Sequence, residues 1–271
     1  MSRALVLGGG GPLGVGWHAG LLAGLADAGV MLRQADVVVG TSAGSVVGAQ
    51  LTSDRTLADV VRPISEAPPW ASSEPAAGSP DLTELLAGRG GEVVSEEEFV
   101  ARFAFLSGAP WPETFRCTAF GVDSARFAVW DQAAGVELHR AVASSCSVPG
   151  ISPPVTLAGE RYMDGGARDM LNADLAVGHD IVVAVSCMPL DPPEGLVPDL
   201  LAGLLPAVRE RIDDLRSSGS AVEVVEPSEE VRELSGWGRH LMDFARTAPA
   251  YDAGVRQGKT EAARLGPFWF S

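Results

Sequence analysis

The sequence contains few cysteines, and their spacing excludes two common classes of protein. The three cysteines, Cys117, Cys146 and Cys187, lie far apart and form no CxxC pair. This spacing supports neither a zinc site nor a thioredoxin-like redox motif. An odd number of isolated thiols is typical of reduced, buried cysteines, so we expect no bound metal and a reducing compartment.

Basic residues are scarce as well. The chain has 20 Lys and Arg against 35 Asp and Glu, which gives a formal net charge of −15. A surface this acidic repels phosphate backbones, so nucleic-acid binding is disfavoured. Tight docking on anionic lipid is disfavoured for the same reason, while neutral lipid interfaces remain compatible with the charge.

Long hydrophobic runs are also missing. The first apolar run, over residues 4–7, is too short for the core of a signal peptide. No stretch approaches the roughly 20 apolar residues that a membrane-spanning helix needs. Together with 46% hydrophobic and 20% charged residues, these absences predict a folded, cytoplasmic protein.

The N-terminal part of the chain has a βαβα rhythm. Apolar runs at 4–7 and 36–39 predict two strands, and apolar residues at helical spacing predict a helix over 15–28 between them. A second helix follows a sharp turn and ends near Leu51. Strands that are joined by a helix in this way are expected to be parallel neighbours in one sheet.

Similar patterns predict the remaining elements. Strands are predicted at 116–122 and 126–130 (a hairpin), 161–163, 181–186 and 221–225, and helices at 56–65, 95–106, 137–144, 196–217, 228–235 and 239–263. The alternation of strands and helices predicts a single α/β domain over residues 1–271 with a mostly parallel sheet. Residues 52–110, with a loop at 66–81, are interpreted as a partly helical cap or insertion, and residues 196–271 as a mainly helical C-terminal part.

A run of glycines follows the first strand. Gly9, Gly10, Gly11 and Gly14 satisfy the G-x-G-x-x-G pattern of dinucleotide-binding loops. That fold also requires an acidic residue at the end of the second strand, whereas Asp36 stands at its beginning. The alternative is an oxyanion hole, because successive glycines let backbone N–H groups point at one spot beside a helix N-terminus.

A serine stands on the turn after the second strand. Gly40, Ser42 and Gly44 match the G-x-S-x-G nucleophile elbow, which needs a strand before it and a helix after it, as predicted for this chain. The motif makes Ser42 the candidate nucleophile. The N–H of Ala43 would then join the donors of the glycine loop in stabilising an oxyanion.

Residue chemistry alone leaves the base for this serine open. None of the histidines stands in a glycine-flanked loop after a strand; they are His18, His139, His179 and His240. Asp164 ends a short predicted strand, and Gly165 and Gly166 after it permit the close approach of another backbone. Both a direct contact between Asp164 and Ser42 and a simple Asp-Gly-Gly turn are compatible with this segment.

Four segments occur in an order that is characteristic of one family. They are the glycine loop at 9–14, the elbow at 40–44, Ala-Ser-Ser-Cys-Ser-Val-Pro at 143–149 and Asp-Gly-Gly at 164–166. From residue 3 to about residue 187, the chain resembles a bacterial patatin-like phospholipase. The resemblance implies a three-layer α/β sandwich that hydrolyses carboxylic esters of lipids without a cofactor.

The resemblance also implies a role for each motif residue. Ser42 would be the nucleophile, Asp164 the general base of a Ser–Asp dyad, and the Gly9–Gly11 amides the oxyanion hole. An aspartate of ordinary pKa is a poor base at neutral pH, so the site must be desolvated. The chain departs from the family at Leu13, where Arg or Lys is usual, and this puts recognition of an anionic head group in doubt.

Two other functions stay open at this level. The glycine loop could belong to a nucleotide-binding module, or the chain could be a catalytically silent scaffold. On the hydrolase interpretation, the partner is a lipid or another ester. Phe99 and Phe103 could then touch a membrane surface transiently, although such aromatic residues more often belong to a core.

Overall fold

The computed structural model describes residues 1–53 and 94–271 of the chain. The helix predicted at 56–65 and the loop predicted at 66–81 therefore lie outside the described residues. The strands in these ranges are β1 (Arg3–Leu7), β2 (Val37–Gly40), β3 (Phe115–Gly121), β4 (Phe127–Trp130), β5 (Val155–Leu157), β6 (Glu160–Asp164), β7 (Ile181–Val185) and β8 (Ala221–Val225). They form one sheet in the order β5-β6-β3-β2-β1-β7-β8, with β4 paired to β3.

The sheet is mixed, and its parallel part confirms the predicted βαβ start. Strands β3, β2, β1, β7 and β8 pair with one another in parallel. Strands β4 and β6 pair antiparallel with β3, and β5 pairs antiparallel with β6. All residues of β7 are buried, which explains why its sequence is apolar at every position rather than at alternate ones.

Helices cover both faces of this sheet. Those in the described ranges are α1 (Gly11–Asp27), α2 (Ala43–Leu51), α3 (Glu96–Ala101), α4 (Leu138–Ser145), α5 (Asp199–Ala202), α6 (Leu205–Ser217), α7 (Glu229–Leu234) and α8 (Thr247–Trp269). Leu5 and Leu7 of β1 pack into a core with α1, α2, α4 and α8, while Ala4 and Val6 pack into a second core with α6. The α/β three-layer architecture is therefore confirmed. Within the described residues, no helix is long and apolar enough to cross a bilayer.

Some predicted boundaries were wrong. The last helix was predicted from residue 239 but begins at Thr247. Pro249 has no N–H to donate to a carbonyl four residues earlier, so a regular helix cannot extend far to its N-terminal side. The helix predicted over 95–106 also ends early, at Ala101, although its capping box between Ser95 and Glu98 is present. The short edge strand β5 was missed.

Helices α1 and α8 pack unusually closely. A Cβ on Gly20 would overlap the carbonyl oxygen of Tyr251, and one on Gly258 would overlap the carbonyl oxygen of Leu21. Polar groups also join the two helices: Trp17 Nε1 donates to Gln257 Oε1 over 2.9 Å, and Lys259 Nζ lies 3.5 Å from Asp27 Oδ2. This packing fixes α1, whose N-terminus carries the glycine loop.

The strand registers bring three distant motifs together at the carboxyl ends of the central strands. Leu7 at the end of β1 is paired with Gly40 at the end of β2, so the glycine loop and the elbow emerge side by side. Gly40 is also paired with Cys117, and two residues further along β3 Ala119 is paired with Asp164. Strand β3 thus aligns Asp164 with the turn that holds Ser42.

Candidate active site

Ser42 lies on a strained turn between β2 and α2. Its φ of 53° and ψ of −118° belong to a backbone conformation that residues other than glycine rarely adopt. The flanking glycines are required by close approach, because a Cβ on Gly44 would overlap the carbonyl oxygen of Leu7 and one on Gly40 would lie 2.5 Å from Ser45 Cα. The turn is therefore a nucleophile elbow in geometry as well as in sequence.

The carbonyl of Ser42 is held by the first turn of α2 and by a side chain. Ser45 Oγ donates to this oxygen over 2.6 Å, and the N–H groups of Ser45 and Val46 donate over 2.8 and 3.3 Å. Only 7% of the Ser42 surface is exposed, so the strained turn is fixed inside the fold and its hydroxyl is largely shielded from water.

Asp164 lies next to this serine at the end of β6. The N–H of Gly166 donates to Asp164 Oδ1 over 2.7 Å, and the Ser42 side chain lies close enough to the carboxylate to lower its pKa. Gly165 fits tightly against Thr118, where a Cβ would overlap Thr118 Oγ1. The Asp-Gly-Gly segment thus forms both the turn and the direct contact that the sequence had left as alternatives.

The environment of Asp164 changes its acidity. Its side chain is buried, with 5% of the residue surface exposed. Burial raises the pKa of Asp164 from 3.8 to about 6, although the hydrogen bonds from Ser42 and from the Gly166 amide act in the opposite direction. The carboxylate is therefore ionised at neutral pH and far more basic than an exposed aspartate, as proton abstraction requires.

The glycine loop runs directly beside Ser42. A Cβ on Gly9 would lie 3.4 Å from Ser42 Cβ. The N–H of Gly9, however, donates to the carbonyl oxygen of Met170 over 2.7 Å, so it already has a partner inside the fold. Gly11 and Ala43 are the first residues of α1 and α2, and N–H groups at such positions have no intrahelical partner.

The N-termini of α1 and α2 therefore both lie beside Ser42. Gly14 and Ala43 are in contact, since a Cβ on Gly14 would lie 3.3 Å from the Ala43 Cβ. Each N-terminus adds a partial positive charge that favours a developing oxyanion. Leu13, where the resemblance led us to expect Arg or Lys, is 2% exposed within the core, and its N–H donates to Leu241 O over 3.2 Å.

Two of the histidines, His18 and His179, have polar partners other than Ser42. His18 is fully buried in α1, with Nε2 3.3 Å from Cys187 Sγ, and burial lowers its pKa to about 3. His179 Nδ1 lies 3.0 Å from the carbonyl oxygen of Ala176. These two imidazoles therefore have partners other than Ser42, whereas the Ser42 side chain interacts with the Asp164 carboxylate.

A polar network behind the elbow could not be recognised from the sequence. Asn172 adopts a left-handed φ of 54° and donates from Nδ2 to Thr41 Oγ1 over 3.0 Å and to Asp169 O over 2.7 Å. Thr41 Oγ1 is in turn 2.9 Å from Thr118 Oγ1. The network ties the elbow to the loop that supplies the Met170 carbonyl, and no local sequence signal marks it.

The elbow around Ser42 lies at the carboxyl ends of a helix-covered, largely parallel sheet, with the buried Asp164 beside it. This arrangement is typical of α/β proteins of the serine-hydrolase type. The sequence matches the family profile described as patatin-like phospholipase over residues 5–177. The chain therefore belongs to the patatin-like phospholipase family, whose members are lipid ester hydrolases, as its four sequence segments indicated.

Solved structures that resemble the chain are distant in sequence. VipD from Legionella pneumophila is 12% identical, with a TM-score of 0.42, and the match covers 97% of this chain and 67% of that one. The type III effector protein ExoU is 14% identical, with a TM-score of 0.34, and the match covers 95% of this chain and 53% of that one. The chain thus spans about half the length of ExoU.

Proposed function

We propose that the chain hydrolyses carboxylic esters of lipids, with Ser42 as the nucleophile and Asp164 as the general base. The observation that carries this proposal is the approach of the Ser42 side chain to the buried Asp164 carboxylate, whose pKa burial raises to about 6. Membership of the patatin-like phospholipase family supports a lipid substrate. The cleaved bond is proposed to be an acyl ester, as in phospholipase A or lysophospholipase reactions.

The first half-reaction transfers the acyl group to the enzyme. Ser42 Oγ attacks the ester carbonyl carbon while its proton passes to the Asp164 carboxylate. The resulting tetrahedral oxyanion collapses, the bond from carbon to the alcohol oxygen breaks, and the leaving alcohol takes the proton from Asp164. An acyl ester on Ser42 remains.

The second half-reaction uses water in the place of the alcohol. Asp164, again ionised, takes a proton from the water as its oxygen attacks the acyl carbon. Collapse of this second intermediate breaks the bond to Ser42 Oγ, which recovers the proton, and the carboxylic acid leaves. The dyad returns to its starting protonation state.

The oxyanion is proposed to bind the N–H groups of Gly10, Gly11 and Ala43. Gly11 and Ala43 begin their helices, so their amides have no intrahelical partner and add the positive ends of two helix dipoles. Gly9 was expected to be a fourth donor. Because its N–H donates to Met170 O, we assign it the role of holding the loop in position.

The wider setting of the site also remains a proposal. We propose that residues 1–271 form one domain, in which 52–110 is a cap over the site. In the described part of that segment, Phe99 and Phe103 are buried in the main core, which does not favour them as membrane contacts. The net charge of −15 favours transient contact with neutral rather than anionic lipid, in a cytoplasmic protein.

Hydrolysis of p-nitrophenyl acyl esters tests the proposal. Ser42→Ala and Asp164→Asn are each expected to lower kcat by at least about 10³-fold, because both groups act in the same transition state. A matched control is His179→Ala, which removes a side chain engaged by Ala176 and is expected to leave kcat unchanged.

Labelling of Ser42 by a fluorophosphonate probe separates the alternatives. Labelling of the folded wild type, lost in Ser42→Ala, supports a working nucleophile. If folded wild-type protein neither reacts with the probe nor hydrolyses any ester, the chain is a silent scaffold. If the histidine variant loses activity while Asp164→Asn keeps it, the base has been misassigned.

A further inference from the structure

A short segment at the end of α4, Ser145–Ser147, contacts both members of the proposed dyad. Ser145 Oγ accepts a hydrogen bond from the N–H of Ser42 over 3.0 Å. The carbonyl oxygen of Ser147, two residues later, accepts one from the N–H of Asp164 over 2.8 Å. Between them, the Cys146 thiol donates to the carbonyl oxygen of Ser42 over 3.4 Å. Three consecutive residues therefore hold the backbones that carry the two reacting side chains.

The contact with Ser145 differs from the others because a side-chain hydroxyl is the acceptor for a backbone N–H of the elbow. Ser42 lies before α2 at a positive φ, and its N–H is satisfied by this hydroxyl. Ser145 is fully buried and Ser42 nearly so, which means that water cannot easily replace the lost acceptor if the hydroxyl is removed. A strained backbone conformation persists only where its surroundings impose it.

We propose that Ser145 is a positioning residue for the Ser42–Asp164 pair, an inference that rests on the proposed function. By accepting the Ser42 N–H, Ser145 fixes the rotation of the elbow and so directs the Ser42 hydroxyl at the carboxylate. The Ser147 carbonyl fixes Asp164 from the same segment, which keeps the separation of the two groups constant. Ser145 does not touch the substrate and takes no part in proton transfer.

The neighbouring Ser144 offers a matched control. It is equally buried, but its Oγ donates to the Ala141 carbonyl over 2.7 Å and accepts from Trp130 Nε1 over 3.2 Å. Its hydroxyl therefore stabilises α4 and β4 rather than the elbow. Removing either hydroxyl deletes one buried oxygen from the same helix end, so the two variants differ in which partner is lost.

The test compares Ser145→Ala, Ser145→Cys and Ser144→Ala with the wild type, using a soluble p-nitrophenyl ester and a fluorophosphonate probe. Ser145→Ala is expected to lower kcat about 10- to 100-fold with KM within about twofold, because a misplaced nucleophile slows chemistry and not binding. The rate of probe labelling should fall in parallel. Ser145→Cys keeps a weak acceptor at the γ position, so its kcat and labelling rate should lie between those of the wild type and Ser145→Ala.

Thermal unfolding of each variant separates positioning from loss of structure. Ser144→Ala is expected to melt at a lower temperature and yet keep kcat within about twofold. If Ser145→Ala does not fold, Ser145→Cys provides the measurement. A folded Ser145 variant with wild-type kcat overturns the inference, as does an equal loss of kcat in Ser144→Ala.

The same experiment shows which proposal has failed. If wild-type activity is lost in Ser42→Ala and Asp164→Asn but kept in the Ser145 variants, the dyad stands and the positioning role is rejected. If Ser42→Ala is as active as the wild type, the proposed function is wrong, and the role of Ser145 falls with it.

Discussion

Gly10 and Cys187 are in direct contact behind the glycine loop: Cys187 Sγ fills the space that a Cβ on Gly10 would occupy. Gly10 has an extended φ of −174°, which any residue can adopt, so the requirement for glycine is steric. Cys187 follows β7 and is itself buried against His18. The position of the loop amides is thus set by a residue at the end of a neighbouring strand.

Gly10→Ala is expected to displace the loop and lower kcat by about 10²-fold, since a shift of about 1 Å in oxyanion donors has an effect of this size. Combining it with Cys187→Gly removes both the sulfur and the Cβ that obstruct the added methyl group. The double variant should recover most of the lost kcat. The four proteins to compare are the wild type, Gly10→Ala, Cys187→Gly and the double variant, and steady-state kinetics on them gives the coupling free energy between the two positions. Additive losses of kcat would show that the contact with Cys187 does not cause the effect of Gly10→Ala.

The pH dependence of kcat/KM should report the ionisation of Asp164. The proposed base is active as the carboxylate, and burial raises its pKa to about 6. We expect kcat/KM to be constant above about pH 7 and to fall tenfold per pH unit below about pH 6. Activity regained on return to pH 7.5 controls for acid denaturation. A rate that is unchanged down to pH 5 would exclude this carboxylate as the base.

The raised pKa of Asp164 also makes the stability of the fold depend on pH, and stability falls over the pH range in which activity is expected to rise. The folded chain binds the Asp164 proton more tightly than the unfolded chain, so this group stabilises the fold fully below about pH 4, and that contribution is lost as the pH rises through about 6. Above pH 7 the buried charge costs on the order of 3 kcal/mol relative to acid conditions, at about 1.4 kcal/mol per pKa unit. Asp164→Asn carries no such charge.

Asp164→Asn is therefore expected to unfold at higher urea concentration than the wild type at pH 8. The difference in free energy of unfolding should shrink as the pH is lowered toward 4.5. Other ionisable groups are common to both proteins, so the difference isolates Asp164. An equal difference at the two pH values would contradict the assigned shift.

The seam between α1 and α8 predicts a large effect from a small substitution. Gly20→Ala would place a methyl group on the carbonyl oxygen of Tyr251, and neither backbone can move without separating the two helices. The expected loss in free energy of unfolding is about 3 kcal/mol. Gly266→Ala is the control in α8, because its Cβ would meet only Val30 Cγ2 at 3.5 Å and should stabilise the helix by about 0.5–1 kcal/mol. Urea denaturation of both variants provides the comparison, and equal effects would refute it.

Most local elements followed from the sequence, although some helix bounds were wrong and the edge strand β5 was missed. Strand β8 was predicted at its observed limits, and the capping box at Ser95 is present, because periodicity and capping depend on residues within one or two turns. The start of the last helix at Thr247 was missed. The apolar spacing continues on the N-terminal side of Pro249 and predicted helix there. Because Pro249 has no N–H to donate, the helix does not extend back to residue 239.

The sequence by itself determined the βαβα start, the elbow around Ser42 and, through the order of its motifs, the family. These signals are local, since each is a run of a few residues with its own backbone geometry. The resemblance implied that Asp164 acts with Ser42, and the tertiary structure shows how strand register brings the two together. Only the tertiary structure decided that the Gly9 amide donates to Met170 and that Ser145 accepts the N–H of the elbow. These contacts arise from strand registers and loop packing between distant parts of the chain, and no periodicity in the sequence encodes them.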